Sequence, residues 1–337
     1  MWGLDGVEKA ASERGYPFQG METRTETARL CGKIGFSGHP FVEHFKFLKR
    51  VAGEGAVARQ TLPAPAQFLA ELQRGDNAAI TRAFYPDLDE LIADIASAYR
   101  TAILAFYDAG CRSVQLDDCT WGMLCDRDYW QARQRDGEDV AATAKLFARV
   151  NREAIAGLPD DLIVTTHVCR GNYHSTWASS GGYEPVAETL FGIEGLDAFY
   201  LEFDTDRAGD FTPLRHLQGG QVVLGLFSSK TGELEDKETI LGRIREAAEI
   251  VDINRICLSP QCGFASTEKR LRSFAPPIGD GFRDRRRRFA AGERRRRFQL
   301  DHADHLDGTE QLQRFLDLLV GNRRSIARLP GCPKAAR

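Results

Sequence analysis

Leu162-Ile-Val-Thr-Thr-His167-Val-Cys169-Arg-Gly-Asn172 is the stretch whose reading decides the fold. Its apolar and β-branched residues form a short run that reads as a buried strand. Side chains alternate along a strand, so residues two apart face the same way. His167 and Cys169 therefore converge at the C-terminal end of that strand. An imidazole and a thiol together are the mixed nitrogen and sulfur donors that zinc favours. Two further donors end similar runs: Glu202 in Phe199-Tyr-Leu-Glu202-Phe-Asp204, and Cys262 in Cys257-Leu-Ser-Pro-Gln-Cys262.

The same grammar repeats along the chain. Strands are expected at Ala58–Leu62, Ser113–Asp117, Leu162–His167, Ala198–Phe203, Val222–Phe227 and Arg255–Ser259. Amphipathic helical patterns lie between them. The clearest covers Leu88–Tyr107, with Leu88, Leu91, Ile92, Ile95, Tyr99, Ile103 and Phe106 on one face. Asp87 and Glu90 resemble a capping box at its start, and Gly110 ends it. Further helices are expected over Val140–Ala156 and over Lys237–Val251, the latter with Asp236 as N-cap. Strands alternating with helices predict a parallel α/β fold. Every candidate ligand ends a strand, which is where (β/α)8 TIM barrels and doubly wound sheets both bind ligands. No Gly-x-Gly-x-x-Gly follows a strand and no Walker loop is present, so the barrel is the expected architecture.

Composition narrows the class. At 42 % hydrophobic residues, the 337-residue chain can bury a large core. No apolar run approaches the roughly 20 residues of a membrane helix, and Met1-Trp-Gly-Leu-Asp-Gly6 has no secretory character. Eight scattered cysteines are too sparse for a disulfide scaffold and point to a reducing cytoplasm. The net charge of −3 hides an asymmetry: residues 269–337 carry 18 Lys/Arg against 8 Asp/Glu, leaving 27 against 40 in residues 1–268. The expected organisation is a barrel domain over 1–268 and an Arg-rich, disordered tail over 269–337, with a short amphipathic helix at Gln311–Leu319. The runs Arg285–Arg288 and Arg294–Arg297 could meet phosphates, but no recognition motif accompanies them. Solvation is the preferred reading, with no nucleic-acid partner.

The donor set suggests a reaction. Two thiolates, a carboxylate and a neutral imidazole around zinc give a net charge of about −1. Such a centre is a poor Lewis acid for carbonyl hydrolysis. It suits a substrate thiol, held as thiolate and left nucleophilic. An exchangeable position is then needed, and Glu202, the hardest ligand, is the natural one to loosen. Asp117 and Asp118 close the strand Ser113–Asp117; one could grip a substrate ammonium, and helix capping or a surface pair is the equal alternative. Cys119 and Cys125 are expected to pack rather than ligate. Pro63 and Pro65 end a strand and stiffen a loop, and His39 and His44 cap or pack on a helix.

These residues carry a resemblance. Gln60–Phe68 (Gln-Thr-Leu-Pro-Ala-Pro-Ala-Gln-Phe), Gln115–Gly122 (Gln-Leu-Asp-Asp-Cys-Thr-Trp-Gly), Thr166–Trp177, Leu201–Asp204, Leu224–Asp236 and Leu258–Glu268 resemble the catalytic domain of cobalamin-independent methionine synthase, especially its shorter single-domain relatives. The resemblance covers residues 1–268. It implies a (β/α)8 barrel with zinc held by His167, Cys169, Glu202 and Cys262. It also implies methyl transfer from 5-methyltetrahydrofolate to homocysteine, with Asp117 matching the acidic residue that holds the homocysteine ammonium. The alternatives are alkyl transfer to another thiol, as in coenzyme M transferases, and a zinc-binding or partner-binding protein without turnover.

The chain departs from the family pattern in four places. It begins after the strands bearing the Gly-Ser and Gly-Glu motifs, so the barrel is expected to lack its first two strands. The Arg-rich tail stands where the closing helix is expected. Phe227-Ser228-Ser229 replaces an Asp-Ile-His segment whose His serves proton delivery. A folate-stacking Trp has no counterpart around Leu62–Ala66. The sequence therefore assigns no proton donor.

Overall fold

The computed structural model describes residues 1–262 apart from 2, 54, 136 and 232–234. It opens with an antiparallel ribbon. Strand β1 (Asp5–Ala11) pairs with β4 (Glu26–Gly35), and a small hairpin, β2 (Pro17–Phe18) with β3 (Met21–Glu22), rides on the connection. The pattern reading assigned no element to this ribbon. Its alternation is broken by the register shift between Asp5 and Val7, which obscures a period of two.

The remaining elements follow in chain order: α1 (Pro40–Ala52), β5 (Gln60–Pro63), α2 (Pro65–Leu72), α3 (Asn77–Phe84), α4 (Leu88–Asp108), β6 (Ser113–Asp117), α5 (Cys119–Leu124), α6 (Arg127–Arg135), α7 (Val140–Ile155), β7 (Ile163–Val168), α8 (Ala187–Phe191), β8 (Ala198–Glu202), β9 (Gln221–Phe227), α9 (Lys237–Ala248) and β10 (Ile256–Pro260). Among the described residues β5 to β10 form one parallel sheet in strict chain order. A doubly wound sheet reverses direction at a switch point; this one does not, and its sequential order is that of a barrel wall. All six expected strands are present, within two residues at either end. The expected tail, with its helix at Gln311–Leu319, lies outside the described residues.

Alternation sorts the sheet into two faces. Val114, Leu116, Val164, Val168, Phe199, Leu201, Val222, Leu224, Leu226, Ile256 and Leu258 are buried in the main core together with the α4 residues Leu91, Ile92, Ile95, Tyr99, Ile103 and Phe106. Full burial of each large side chain is worth about 1.5–3 kcal/mol, so this face locks the register. The alternate positions Ser113, Gln115, Asp117, Thr165, His167, Tyr200 and Glu202 carry the polar groups. Registering one strand off by a residue would exchange the two sets.

Local chemistry sets the helix ends, with two corrections. Asp87 caps α4, but its side chain accepts from the Asp89 N–H at 2.9 Å, and Glu90 turns away to Lys33 at 2.6 Å. The capping box is therefore not closed, because a cation on β4 competes for Glu90. Leu88, placed on the apolar face by periodicity, is exposed because it is the first helical residue. Asp236 caps α9 through the Thr239 N–H at 3.0 Å. His39 caps α1, its Nδ1 accepting from Phe41 N at 3.0 Å, and the His44 ring lies 5.4 Å from that of Phe41. Pro63 ends β5, and Pro65 opens α2, where a missing N–H costs nothing.

Candidate metal centre

The ends of β7 and β10 bring an imidazole and two sulfurs together. Donor atoms of His167, Cys169 and Cys262 all lie within 4.8 Å of one another. The parallel sheet explains the meeting. Asp117 of β6 registers with His167 of β7, the Asp118 N–H donates to the His167 carbonyl at 2.8 Å, and β8 and β9 carry the wall round to β10. His167 is buried, and its Nε2 has no hydrogen-bond partner among the described residues. A buried, unpartnered imidazole nitrogen beside two thiols fits a soft divalent ion such as zinc.

Glu202 is fully buried beside this trio, but its carboxylate is engaged elsewhere. Oε1 accepts from the Arg170 N–H at 2.8 Å, and Oε2 pairs with Arg207 at 3.1 Å. The end of β8 is pinned by Tyr183, whose hydroxyl accepts from Glu202 N at 2.9 Å and donates to Glu202 O at 3.2 Å. Arg207 also pairs with Asp204 at 3.1 Å and lies 4.9 Å over the Trp177 ring.

The electrostatics are those of crowded, dry donors. Burial works against a charged His167, yet the Cys262 thiolate, Glu202 and Asp117 overcome it and hold its pKa up to about 9. Burial raises Glu202 to about 7 against the pull of His167. Cys262 is held well below the usual thiol range by its hydrogen bond from Cys169 and by His167, whereas Cys169 is pushed up by Cys119 and Cys262. One thiolate shared among neighbouring sulfurs is the physical content of that split. A bound cation would relieve it.

Asp117 stands at the edge of this group; burial raises its carboxyl, and His167 opposes the shift. Asp118 turns the other way. It is fully buried, caps α5 through Thr120 N at 3.1 Å, and accepts from Asn151 at 2.8 Å. Of the two strand-end acids, Asp118 is the capping one. Cys125 is buried, with Arg170 beside it. Cys119 stands outside the His167, Cys169 and Cys262 group, with its thiol beside the Cys169 sulfur. Its position just past β6, the neighbour of β7, was the available signal.

Sequence reasoning assigned nothing to Lys230, Asn172 or Arg207. Lys230 Nζ reaches Gly171 O at 2.6 Å, Thr176 O at 3.0 Å and Asn172 Oδ1 at 3.1 Å, and burial lowers its pKa. The Asn172 side chain in turn hydrogen-bonds the Cys262 sulfur. The sequence hints were that Lys230 directly follows the Phe227-Ser228-Ser229 segment and that Lys230 and Asn172 lie within the matching stretches Leu224–Asp236 and Thr166–Trp177.

A sheet with barrel-wall order, carrying an imidazole and two thiols at the C-terminal ends of its strands, defines a barrel-type domain with a thiol-rich candidate metal site. The catalytic-domain model of the cobalamin-independent synthases matches residues 52–273, and the chain belongs to that family. The Bacillus subtilis (strain 168) protein described as "Uncharacterized protein YxjH" is 44 % identical over 269 residues, spanning 79 % of this chain and 70 % of that protein. The crystal structure of a putative vitamin-B12 independent methionine synthase from Listeria monocytogenes superposes with a TM-score of 0.59 at 38 % identity, covering 84 % of this chain and 74 % of that one. A B12-independent methionine synthase from Shewanella sp. W3-18-1, solved with selenomethionine, gives a TM-score of 0.57 at 19 % identity over 86 % of this chain and 78 % of its own, a likeness of fold. The protein is thus a methionine-synthase-like catalytic domain with a candidate metal site at His167, Cys169 and Cys262. Among the described residues no helix is long and apolar enough to cross a membrane.

Proposed function

We propose that this chain transfers a methyl group to the thiol of homocysteine, from 5-methyltetrahydrofolate, at a zinc site formed by His167, Cys169, Cys262 and Glu202. The observation that carries the reading is the meeting of two sulfurs and an unpartnered buried imidazole nitrogen within 4.8 Å. Zinc bound there would keep an incoming thiol deprotonated at neutral pH. Glu202 is the exchangeable member, since its oxygens already have Arg207 and the Arg170 N–H as partners. Asp117 takes the amino-acid ammonium, which fixes the thiol's direction of approach. The substrate thiolate then attacks the methyl carbon in line; the sulfur–carbon bond forms as the carbon–nitrogen bond breaks, and the leaving nitrogen gains a proton.

The test is metal analysis of the purified full chain, followed by X-ray absorption at zinc with and without homocysteine. One zinc per chain, lost in Cys262→Ser, and a sulfur replacing an oxygen on homocysteine addition are the expected results. A folded protein that carries no zinc, or a zinc environment that homocysteine leaves unchanged, overturns the reading. Turnover with methylated folate separates this function from alkyl transfer to another thiol.

A further inference from the structure

We propose that Lys230 is a positioning residue of this centre, fastening Gly171 and Asn172 so that their N–H groups stay on the Cys169 and Cys262 sulfurs. The inference rests on the metal-centre reading above and adds the device that sets the electron density of its thiolates.

The geometry is a three-way clamp. An ammonium has three N–H donors and no acceptor. All three of Lys230 are used, on Gly171 O at 2.6 Å, Thr176 O at 3.0 Å and Asn172 Oδ1 at 3.1 Å. Each acceptor belongs to the loop that follows Cys169. The same loop feeds the sulfurs: Gly171 N donates to Cys169 Sγ at 3.3 Å, and the Asn172 side chain hydrogen-bonds Cys262. Its Oδ1 accepts from Lys230, so the clamp also fixes which way the amide points.

The loop needs fastening from outside. His174 and Ser175 have φ of 51° and 64°, left-handed values that strain a non-glycine residue. Gly171 sits at φ 95°, and a Cβ there would come within 2.7 Å of Ala178 N and of the Phe18 ring. Lys230 is itself anchored. Its N–H donates to Ser228 Oγ at 3.1 Å, and Ser228 Oγ donates to Asp204 Oδ2 at 2.8 Å, the aspartate that Arg207 also grips. The clamp thus ties the β9 loop and the β8 loop to the loop carrying the sulfur donors.

An N–H···S hydrogen bond withdraws charge from a thiolate, as partners of metal ligands generally tune their donors. The test replaces the metal with Co(II) in the full-length protein and reads the sulfur-to-cobalt charge-transfer band, which a merely structural lysine would not move. Lys230→Met is expected to keep one Co(II) per chain, shift that band to longer wavelength and weaken Co(II) affinity about 10- to 100-fold, the usual effect of losing a partner of a metal ligand. Asn172→Ala is expected to shift the band the same way, and the double variant to shift it no further than the larger single change, because both remove one chain of bonds. Lys230→Arg keeps the charge but not the three diverging donors, and covers the case in which Lys230→Met fails to fold; it is expected to give a smaller shift of the same sign. A wild-type band and affinity in the folded Lys230 variants overturns this inference alone, as does a fully additive double variant. Wild-type protein that takes up no metal overturns the metal-centre reading, and this inference with it.

Discussion

Gln115 holds Asp117: its Nε2 donates to Asp117 Oδ1 at 2.8 Å, while its own Oε1 accepts from Arg59 at 3.0 Å. Arg59 is fixed in turn by Ser113 Oγ at 3.1 Å and lies 5.1 Å from the Tyr200 ring. One strand face therefore relays an orientation from a guanidinium to a carboxylate beside the candidate metal site. Oδ1 is committed to Gln115, so an ammonium would meet Oδ2. A hydrogen bond to a charged group is worth about 1.5–3 kcal/mol. Asp117→Asn should weaken homocysteine binding about tenfold or more, and Gln115→Leu by less, with zinc content unchanged in both. Isothermal titration with parallel metal analysis checks this; loss of zinc along with binding would assign Asp117 to the fold instead.

The metal-free protein should lose stability as pH rises. Glu202 and His167 both have folded pKa values above their ordinary ones, about 7 against 4.5 and about 9 against 6.5. A raised folded pKa gives stability that is fully present below the unfolded value and is lost through the folded one. The loss should therefore run from about pH 4.5 to 7 for Glu202, whereas above that the raised His167 and the lowered Cys262 act with opposite sign and flatten the profile. Zinc needs both groups deprotonated, so its stabilising effect should grow across the same window. Urea unfolding of apo and zinc-loaded protein from pH 5 to 9 reads both trends; parallel profiles would count against the site.

Asn151 on α7 joins two elements. Its Nδ2 donates to Asp118 Oδ2 at 2.8 Å, and its Oδ1 accepts from Ala66 N, the second residue of α2, at 2.9 Å. Both partners are fully buried. Asn151→Ala should cost about 2–3 kcal/mol, because a buried carboxylate loses its donor. Chemical denaturation measures it, and a cost below half a kilocalorie would mean that water replaces the amide.

Gly122 on α5 lies against the strand end that carries Cys169. A Cβ at this position would sit 2.4 Å from the Cys169 carbonyl oxygen, a contact that only backbone movement relieves. Gly122→Ala should destabilise by about 1–3 kcal/mol and lower zinc occupancy, because the shift moves Cys169. Unchanged zinc content at full occupancy would show that α5 moves and β7 does not.

The sequence by itself determined the wall of the fold and the placement of its donors. Alternation along β7, carried one residue past its end, puts His167 and Cys169 on one side, and the apolar rows of β6, β8, β9 and β10 fix their register, so Asp117, Glu202 and Cys262 fall at the same end of the sheet. Those are local consequences of a two-residue period and of buried apolar area. Tertiary structure alone decided what each polar group does there. Glu202 faces Arg207 and the Arg170 N–H, Asp118 turns inward to Asn151, Cys119 meets Cys169, and Lys230 closes on a loop more than fifty residues before it. Hydrogen bonds and ion pairs depend on positions set by several loops at once, and no periodicity along the chain encodes them. The β1–β4 ribbon escaped for a related reason: its bulge breaks the alternation by which a strand is read.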